Sequence, residues 1–238
     1  MRHRALLTAG GAPPFDPLTL SPVLWYDYSD TATITSSGGL VSQVNDKSTS
    51  ARHATASGTE RPTTAATTRN GLNVLTFDGA DRLSFTAISV GGGTGCSAYA
   101  VASKAAVTNK NVILAGISSG DLYLAAGGSS SSAAPFCRRD GSGASTAPAS
   151  LATGAWGVIS SIDTGGTTSA LRCGLNGSYG TAATAGGSAT NWDRHGFYPV
   201  AADFNFQGNI GELLIVPSAL SSPNDAAVVA YLRAKWGI

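Results

Sequence analysis

The stretch Gly208–Ile238, GNIGELLIVPSALSSPNDAAVVAYLRAKWGI, contains the two elements that decide the fold class. Its first part, Ile210–Val216, is a short apolar run with β-branched residues, bounded by Gly208 and Pro217. Such a run is typical of a strand that is buried on both faces. The sequence therefore predicts a core strand close to the end of the chain.

The second part of this stretch has the pattern of a short helix. Ser222 can cap it, Pro223 suits the first helical position, and Asp225 stands where a capping box places its acid. Gly237 can end it. Four apolar residues then fall on one helical face, and they are Ala226, Val229, Leu232 and Trp236. We expect this helix to lie on a β-rich body.

The rest of the chain has the composition of a β protein. Its 238 residues include 30 glycines, and 42% of the residues are hydrophobic, enough for a sizeable core. From Pro22 onward, about ten short apolar segments alternate with turn residues, a spacing expected of a sandwich. We predict one domain, residues 22–238, with an all-β fold of two stacked sheets.

Residues 1–21 differ from this domain in composition. The segment Gly10–Pro17 is rich in Gly, Pro and Ala, which predicts an extended arm without a helix or a central strand. The arm is either a solvated tail or a strap that lies across a neighbouring subunit. In the second case its anchors would be Leu6, Leu7, Phe15 and Leu18.

Charge and hydropathy exclude some functions. The net charge is +1 without a basic stripe, which argues against nucleic acid as a partner. No apolar run is long enough to predict membrane insertion. Only 12% of the residues are charged, so small polar residues must form the surface, as on proteins exposed outside a cell or on a particle. Cys96, Cys137 and Cys173 have no metal-binding or disulfide spacing and are predicted to be buried free thiols.

Several segments, in order along the chain, resemble the concanavalin A-like, laminin-G-type jelly-roll domains of tailed-bacteriophage structural proteins. The match is to the opening strand, the next landmarks, a hairpin and the closing strand and helix of that family. The segments are LWYDYSD (24–30), VSQVNDKS (41–48), FDGADRL (77–83), LNG (175–177) and the terminal stretch 208–238.

The resemblance implies a two-sheet concanavalin A-like jelly roll and a role in a virion. We expect a capsid decoration or a tail or fibre component on the virion surface, acting by docking to other virion proteins. A homo-oligomer and contact with host-surface glycans are also expected. The alternatives are a stand-alone lectin-like carbohydrate-binding module and a glycoside hydrolase of the same fold.

The densest polar and aromatic segment is Asn191–Tyr198. Sugars bind where an aromatic face stacks on the ring while neighbouring polar groups bond the hydroxyls, so this segment, taken as a loop, is the predicted glycan-binding site. The candidate residues are Trp192, Asp193, Arg194, His195 and Tyr198. The alternative is that the aromatic rings pack into the core while Asp193 and Arg194 pair outside it.

Catalytic motifs are not apparent. Gly116–Gly120 fits the Gly-x-Ser-x-Gly pattern, but a strand-like segment follows it where a nucleophile elbow needs a helix. The paired carboxylates of glucanases with this fold are missing, because Glu60 and Glu212 are the only glutamates. The sequence therefore predicts that the protein is not an enzyme.

No cofactor is predicted, and Ca²⁺ is the one metal for which the sequence offers ligands. This ion prefers oxygen ligands, and five aspartates could gather around it. Aspartates also form turns by bonding local backbone, which is the simpler interpretation. The five are Asp27, Asp30, Asp46, Asp78 and Asp81.

Overall fold

The computed structural model describes residues 15–90, 95–105, 111–116, 123–127, 133–139, 143–166, 169–185, 190–198 and 204–238. It confirms the predicted fold class, a β-sandwich with a C-terminal helix. The strands are β1 (Leu24–Asp27), β2 (Ile34–Ser37), β3 (Leu40–Val44), β4 (Ala54–Thr55), β5 (Thr63–Arg69), β6 (Leu72–Asp78), β7 (Leu83–Val90), β8 (Cys96–Lys104), β9 (Val112–Ala115), β10 (Tyr123–Ala125), β11 (Phe136–Arg139), β12 (Gly143–Thr146), β13 (Gly157–Asp163), β14 (Ser169–Leu175), β15 (Ser178–Tyr179), β16 (Ala183–Ala185), β17 (Thr190–His195) and β18 (Gln207–Val216). The helix is α1 (Ser222–Trp236), and short 3₁₀ helices cover Pro17–Leu20 and Thr31–Thr33.

The strands form two antiparallel layers. In the first layer, β18 pairs on one side with β8, and the layer continues from β8 to β13 and β14. On its other side, the first part of β18 pairs with β6 and the later part pairs with β1. The second layer has the order β2-β3-β4-β7-β17-β9-β10-β11-β12. One residue pair, Leu40 with Thr63, joins β3 of the second layer to β5 of the first.

The main core lies between the two layers. The first layer contributes alternate residues of its central strands, such as Ala98, Leu213 and Ile215, and the second contributes residues such as Leu83 and Leu114. All three cysteines are buried as free thiols. The predicted closing strand is confirmed, because β18 is buried from Ile210 to Val216 and pairs along its length with β8.

Helix α1 covers the outer face of the first layer. Val228, Val229, Leu232 and Trp236 pack there against residues such as Tyr99, Val101 and Leu214. Among the described residues, no helix is long and apolar enough to span a membrane.

The buried face of α1 differs by one position from the prediction. Asp225 is buried and accepts hydrogen bonds from the hydroxyls of Tyr99 (2.8 Å) and Tyr179 (2.6 Å). This contact turns Ala226, about 100° further around the helix, into solvent. Ser221, not Ser222, is the N-cap residue, and Gly237 ends the helix in the left-handed conformation, as predicted.

A buried carboxylate fixes α1 to the sheet. Glu212 of β18 is 1% exposed, and its Oε1 accepts from Trp25 Nε1 (2.7 Å) and the Tyr231 hydroxyl (3.1 Å). Its Oε2 accepts from Trp236 Nε1 (2.9 Å) and Lys235 Nζ (2.8 Å). Four donors, three of them from α1, therefore converge on one side chain.

The described end of the N-terminal segment is not extended as predicted. Asp16 Oδ1 accepts from Leu18 N (3.0 Å) and Pro17 occupies the first turn, which together start a 3₁₀ helix. The Phe15 ring packs against Tyr231 with centroids 5.7 Å apart, while Leu18 is 43% exposed. Leu6 and Leu7 lie outside the described residues, so their anchoring role stays a prediction.

Replacing Glu212 with Gln tests this attachment. A glutamine accepts at one atom only, so either the Trp25 and Tyr231 donors or the Trp236 and Lys235 donors lose their acceptor. We expect Glu212→Gln to lower the free energy of unfolding by about 2–4 kcal/mol, measured by urea denaturation. The matched control is Glu60→Gln, at the other glutamate, a half-exposed residue whose ion pair is expected to contribute about 1 kcal/mol or less. Equal losses for the two variants would contradict the assignment.

Candidate functional site

The outer face of the second layer carries a row of polar residues. Gln43, Thr55, Ser84 and Arg194 are successive cross-strand partners on β3, β4, β7 and β17. Cross-strand partners point to the same side of a sheet. The neighbouring inner row, which includes Leu83, is buried in the core, so the polar row faces outward.

We call this part of the second layer the open face. Tyr198 and Phe204 cover the adjoining part of the outer surface, where they pack with Val112, Ala115 and Phe136. The open face therefore ends at β17, and Arg194 stands at its border because its cross-strand neighbour on the other side is Ala115.

A polar pocket of about 160 Å³ opens beside this row. The loop after β4 forms one wall and the start of β7 the other, and the lining residues are Thr55, Ala56, Ser57, Glu60, Arg82 and Ser84. Glu60 Oε2 and Arg82 Nη2 form an ion pair at 2.8 Å, and Arg82 N donates to the Glu60 carbonyl oxygen at 2.9 Å. The two charged groups thus hold each other in place within the lining of the pocket.

An aromatic ring supports the Arg82 side chain from behind. The guanidinium carbon of Arg82 lies 5.0 Å from the centre of the Phe197 ring, which is a cation–π distance. Arg194, the cross-strand partner of Ser84, lies near the same pocket wall and keeps its guanidinium near Asp193, with Nη1 3.8 Å from Oδ2. Arg194 is thus next to the lining residue Ser84 in the sheet, but neither Arg194 nor Asp193 lines the pocket.

The predicted glycan-binding segment is a strand and not a loop. Residues 190–195 form β17, whose register against β7 is irregular between Trp192 and Arg194, so residues three positions apart can point to the same face. Trp192 (2% exposed) and His195 (0% exposed) point into the core, and Tyr198 is buried against Phe204. The structure thus does not bring the five predicted residues together on an accessible surface, and their role in binding stays a prediction.

His195 has a structural environment. Its Nδ1 lies 2.9 Å from the carbonyl oxygen of Ile113, and its ring contacts Tyr28 and Phe77. Burial lowers the pKa of His195 to about 4. The imidazole is therefore neutral at pH 7 and donates to Ile113 from Nδ1.

The five aspartates considered for Ca²⁺ are divided among three separate groups. Asp27 and Asp30 pair with Lys47, and Asp27 also pairs with Lys235 (2.6 Å). Asp46 accepts from the backbone nitrogens of Trp25, Ser48 and Arg52. Within the described ranges, no group of three or more acidic, His or Cys side chains is placed to hold a metal ion.

The third group, Asp78 and Asp81, lies in the turn that leads directly to Arg82. Asp81 Oδ2 accepts from Asp78 N (2.8 Å), and Asp78 Oδ1 accepts from Ala80 N (2.7 Å). Burial, together with the adjacent Asp78 charge, raises the pKa of Asp81 to about 6. The Asp81 carboxyl, which directly precedes Arg82 of the pocket, therefore changes its charge close to neutral pH.

The pattern Gly116–Gly120 lies largely outside the described residues. Gly116 is described, and a Cβ atom built on it would lie 1.8 Å from the Asn191 carbonyl oxygen of β17. Close approach of two backbones explains this glycine.

Asp81 is expected to make stability depend on pH. Its folded-state pKa is raised above the unfolded value, so its stabilising contribution is complete below about pH 4 and is lost as pH rises through about 6. Asp81→Asn keeps the carbonyl acceptor for Asp78 N and removes the charge. We expect the variant to gain about 1–3 kcal/mol relative to the parent protein on going from pH 4 to pH 7.5, measured by urea denaturation at both values. A difference that is the same at both pH values would contradict the raised pKa.

Comparisons with known proteins identify the fold. No protein-family model and no curated protein matches the sequence. Among solved structures, the chain is similar to Domain 4 of AbnA, an extracellular GH43 arabinanase from Geobacillus stearothermophilus solved in complex with arabinotriose (TM-score 0.58, 13% identity, 88% of this chain and 98% of that one). It is also similar to a GH54 α-L-arabinofuranosidase (TM-score 0.62, 11% identity, 93% and 66%). A third match is the receptor-binding domain of botulinum neurotoxin C/D mosaic serotype (TM-score 0.57, 12% identity, 88% and 51%).

These similarities establish the fold and correct one expectation. The matched structures are β-proteins, two of them glycoside hydrolases and one the receptor-binding domain of a toxin. The sandwich part of the resemblance is therefore confirmed, and its phage part stays a prediction. The expectation that the chain is not an enzyme is wrong, because arabinofuranosidases share its fold. That expectation relied on the lack of a nucleophile elbow and of one glucanase carboxylate motif, and these two absences exclude only two classes of hydrolase. At 13% identity or less, the similarities assign neither activity nor substrate.

Proposed function

We propose that the protein binds carbohydrate at the polar pocket that Glu60 and Arg82 line. One observation carries the proposal: a fixed acceptor and a fixed donor lie side by side in a concave site that is also lined by Thr55, Ser57 and Ser84. Sugar hydroxyls donate and accept at once, so a carboxylate beside a guanidinium suits two neighbouring hydroxyls.

The size and charge of the pocket favour a small neutral sugar. Its volume of about 160 Å³ is below the roughly 300–1,000 Å³ of sites that enclose a drug-sized ligand, which fits one sugar unit at a shallow site. Glu60 and Arg82 neutralise each other, so the pocket carries no surplus charge to attract an acidic sugar. The arabinotriose complex of the similar arabinanase domain is consistent with carbohydrate binding on this fold.

A virion role is retained as a separate proposal that follows from the phage resemblance and the low charge of the surface. In it, the protein would sit on the virion surface, dock to capsid or tail subunits as a homo-oligomer, and present the open face to host-surface glycans. Co-purification of the tagged protein with phage particles would support this role. Sedimentation as a monomer that never associates with particles would count against it.

Arg82→Gln tests the sugar site. The variant removes the charged donor but leaves the fold intact, since half-exposed ion pairs add little stability. We expect a glycan array to identify a neutral glycan bound by the parent protein, and we expect Arg82→Gln to weaken that binding at least about tenfold in a calorimetric titration. Glu60→Gln is expected to act in the same direction.

The matched control for this test is Arg61→Gln. Arg61 belongs to the same loop and donates to the Gly58 carbonyl oxygen, but it does not line the pocket. Its replacement should leave glycan binding unchanged. Absence of binding to every neutral glycan at millimolar concentration, or equal effects of the two arginine variants, would refute the proposed site.

A further inference from the structure

A second pocket, of about 220 Å³, opens at one end of the sandwich between the two layers. Its lining is mostly apolar: β7 supplies Ile88 and Val90, β8 supplies Cys96, β18 supplies Ile215, and Val23 precedes β1. This end pocket is distinct from the sugar pocket, because the two have no lining residue in common.

One charged residue, Arg52, stands in this apolar lining. Its backbone is held firmly, since its carbonyl oxygen accepts from the Tyr26 hydroxyl and its nitrogen donates to Asp46 Oδ2 (2.9 Å). Its Nη1 donates to the Val23 carbonyl oxygen (3.1 Å). The guanidinium is therefore held in one position at the pocket.

The Arg52 guanidinium has unused binding capacity. Its Nε is buried and has no hydrogen-bond partner, and no carboxylate forms an ion pair with it within the described part of the chain. The Asp46 carboxylate, which bonds its backbone, is already used by Trp25 N and by Ser48. A buried donor without an acceptor is costly, so an anion that completes it would bind favourably.

We propose that the end pocket binds a small organic carboxylate, with its apolar body between Val23, Ile88 and Ile215 and its carboxylate on the Arg52 guanidinium. A carboxylate matches the single charge and the planar fork of an arginine. Because an apolar cavity of about 150 Å³ accepts benzene, this larger pocket has room for one ring with a short acidic chain.

The test uses 3-phenylpropionate as the probe and its neutral amide, 3-phenylpropionamide, as the matched ligand. We expect saturable binding of the acid in an NMR titration, with the largest shifts at the amides of Ile88, Val90 and Cys96. The amide is expected to bind at least about tenfold more weakly, because it cannot pair with Arg52. Acetate, which lacks the apolar body, should bind more weakly still.

Two variants locate the site. Arg52→Met keeps the apolar stem and removes the charge, and it should weaken binding of the acid at least about tenfold. Pro217→Trp enlarges an exposed lining residue directly after β18 and should block the pocket mouth, so it tests the site without the Arg52 hydrogen bonds. Arg82→Gln, at the sugar pocket, is the control that should bind the acid normally.

Three results would overturn this proposal. They are no binding of 3-phenylpropionate at about 10 mM, equal binding of the acid and the amide, and unchanged binding by both Arg52→Met and Pro217→Trp in folded protein. Failure of the glycan experiments would not affect it, since the two pockets are separate.

Discussion

The carboxylate of Glu212 is the contact on which the arrangement of this protein depends. It receives an indole N–H from β1, and it receives an indole N–H, a phenol and an ammonium from α1. Burial raises the pKa of Glu212, although the Lys235 charge opposes this, so the ionised group is held at some cost. The hydrogen bonds to this group are directional, so they specify where α1 lies on the first layer, whereas apolar contacts are not directional.

This attachment divides the molecule into a closed side and an open side. With α1 on the outer face of the first layer, Tyr99, Val101 and Leu214 are covered and that surface is no longer available to a ligand. Gly211 shows how tightly the ring of Trp236 lies against β18, because a Cβ atom there would be 2.8 Å from the ring. The second layer keeps its polar outer row in contact with solvent, and the polar pocket lies beside it.

The sequence allows prediction of the elements but not of the pockets. β18 and α1 are predictable because apolar runs, caps and a terminal glycine are local signals. The loop prediction for Asn191–Tyr198 fails over residues 190–195, which form β17. Trp192 and His195 are three residues apart, and the register irregularity between Trp192 and Arg194 lets both point into the core, so the segment has no simple alternation that would predict a strand. Glu60 and Arg82 become neighbours only through the pairing of β4 with β7. Whether an acidic side chain forms an ion pair with Arg52 is likewise decided by the fold and not by the residues next to it in the sequence. Neither feature has a local signal, although the turn residues around Gly58 mark a loop there.

Native-state hydrogen exchange of the α1 amides tests most directly whether the Glu212 contact makes the helix part of the cooperative fold. If it does, the amides of Val229, Leu232 and Trp236 will exchange with the same opening free energy as those of β8 and β18, to within about 1 kcal/mol. Opening of the helix by itself, with an exchange free energy several kcal/mol below that of the two strands, would contradict the central role of Glu212.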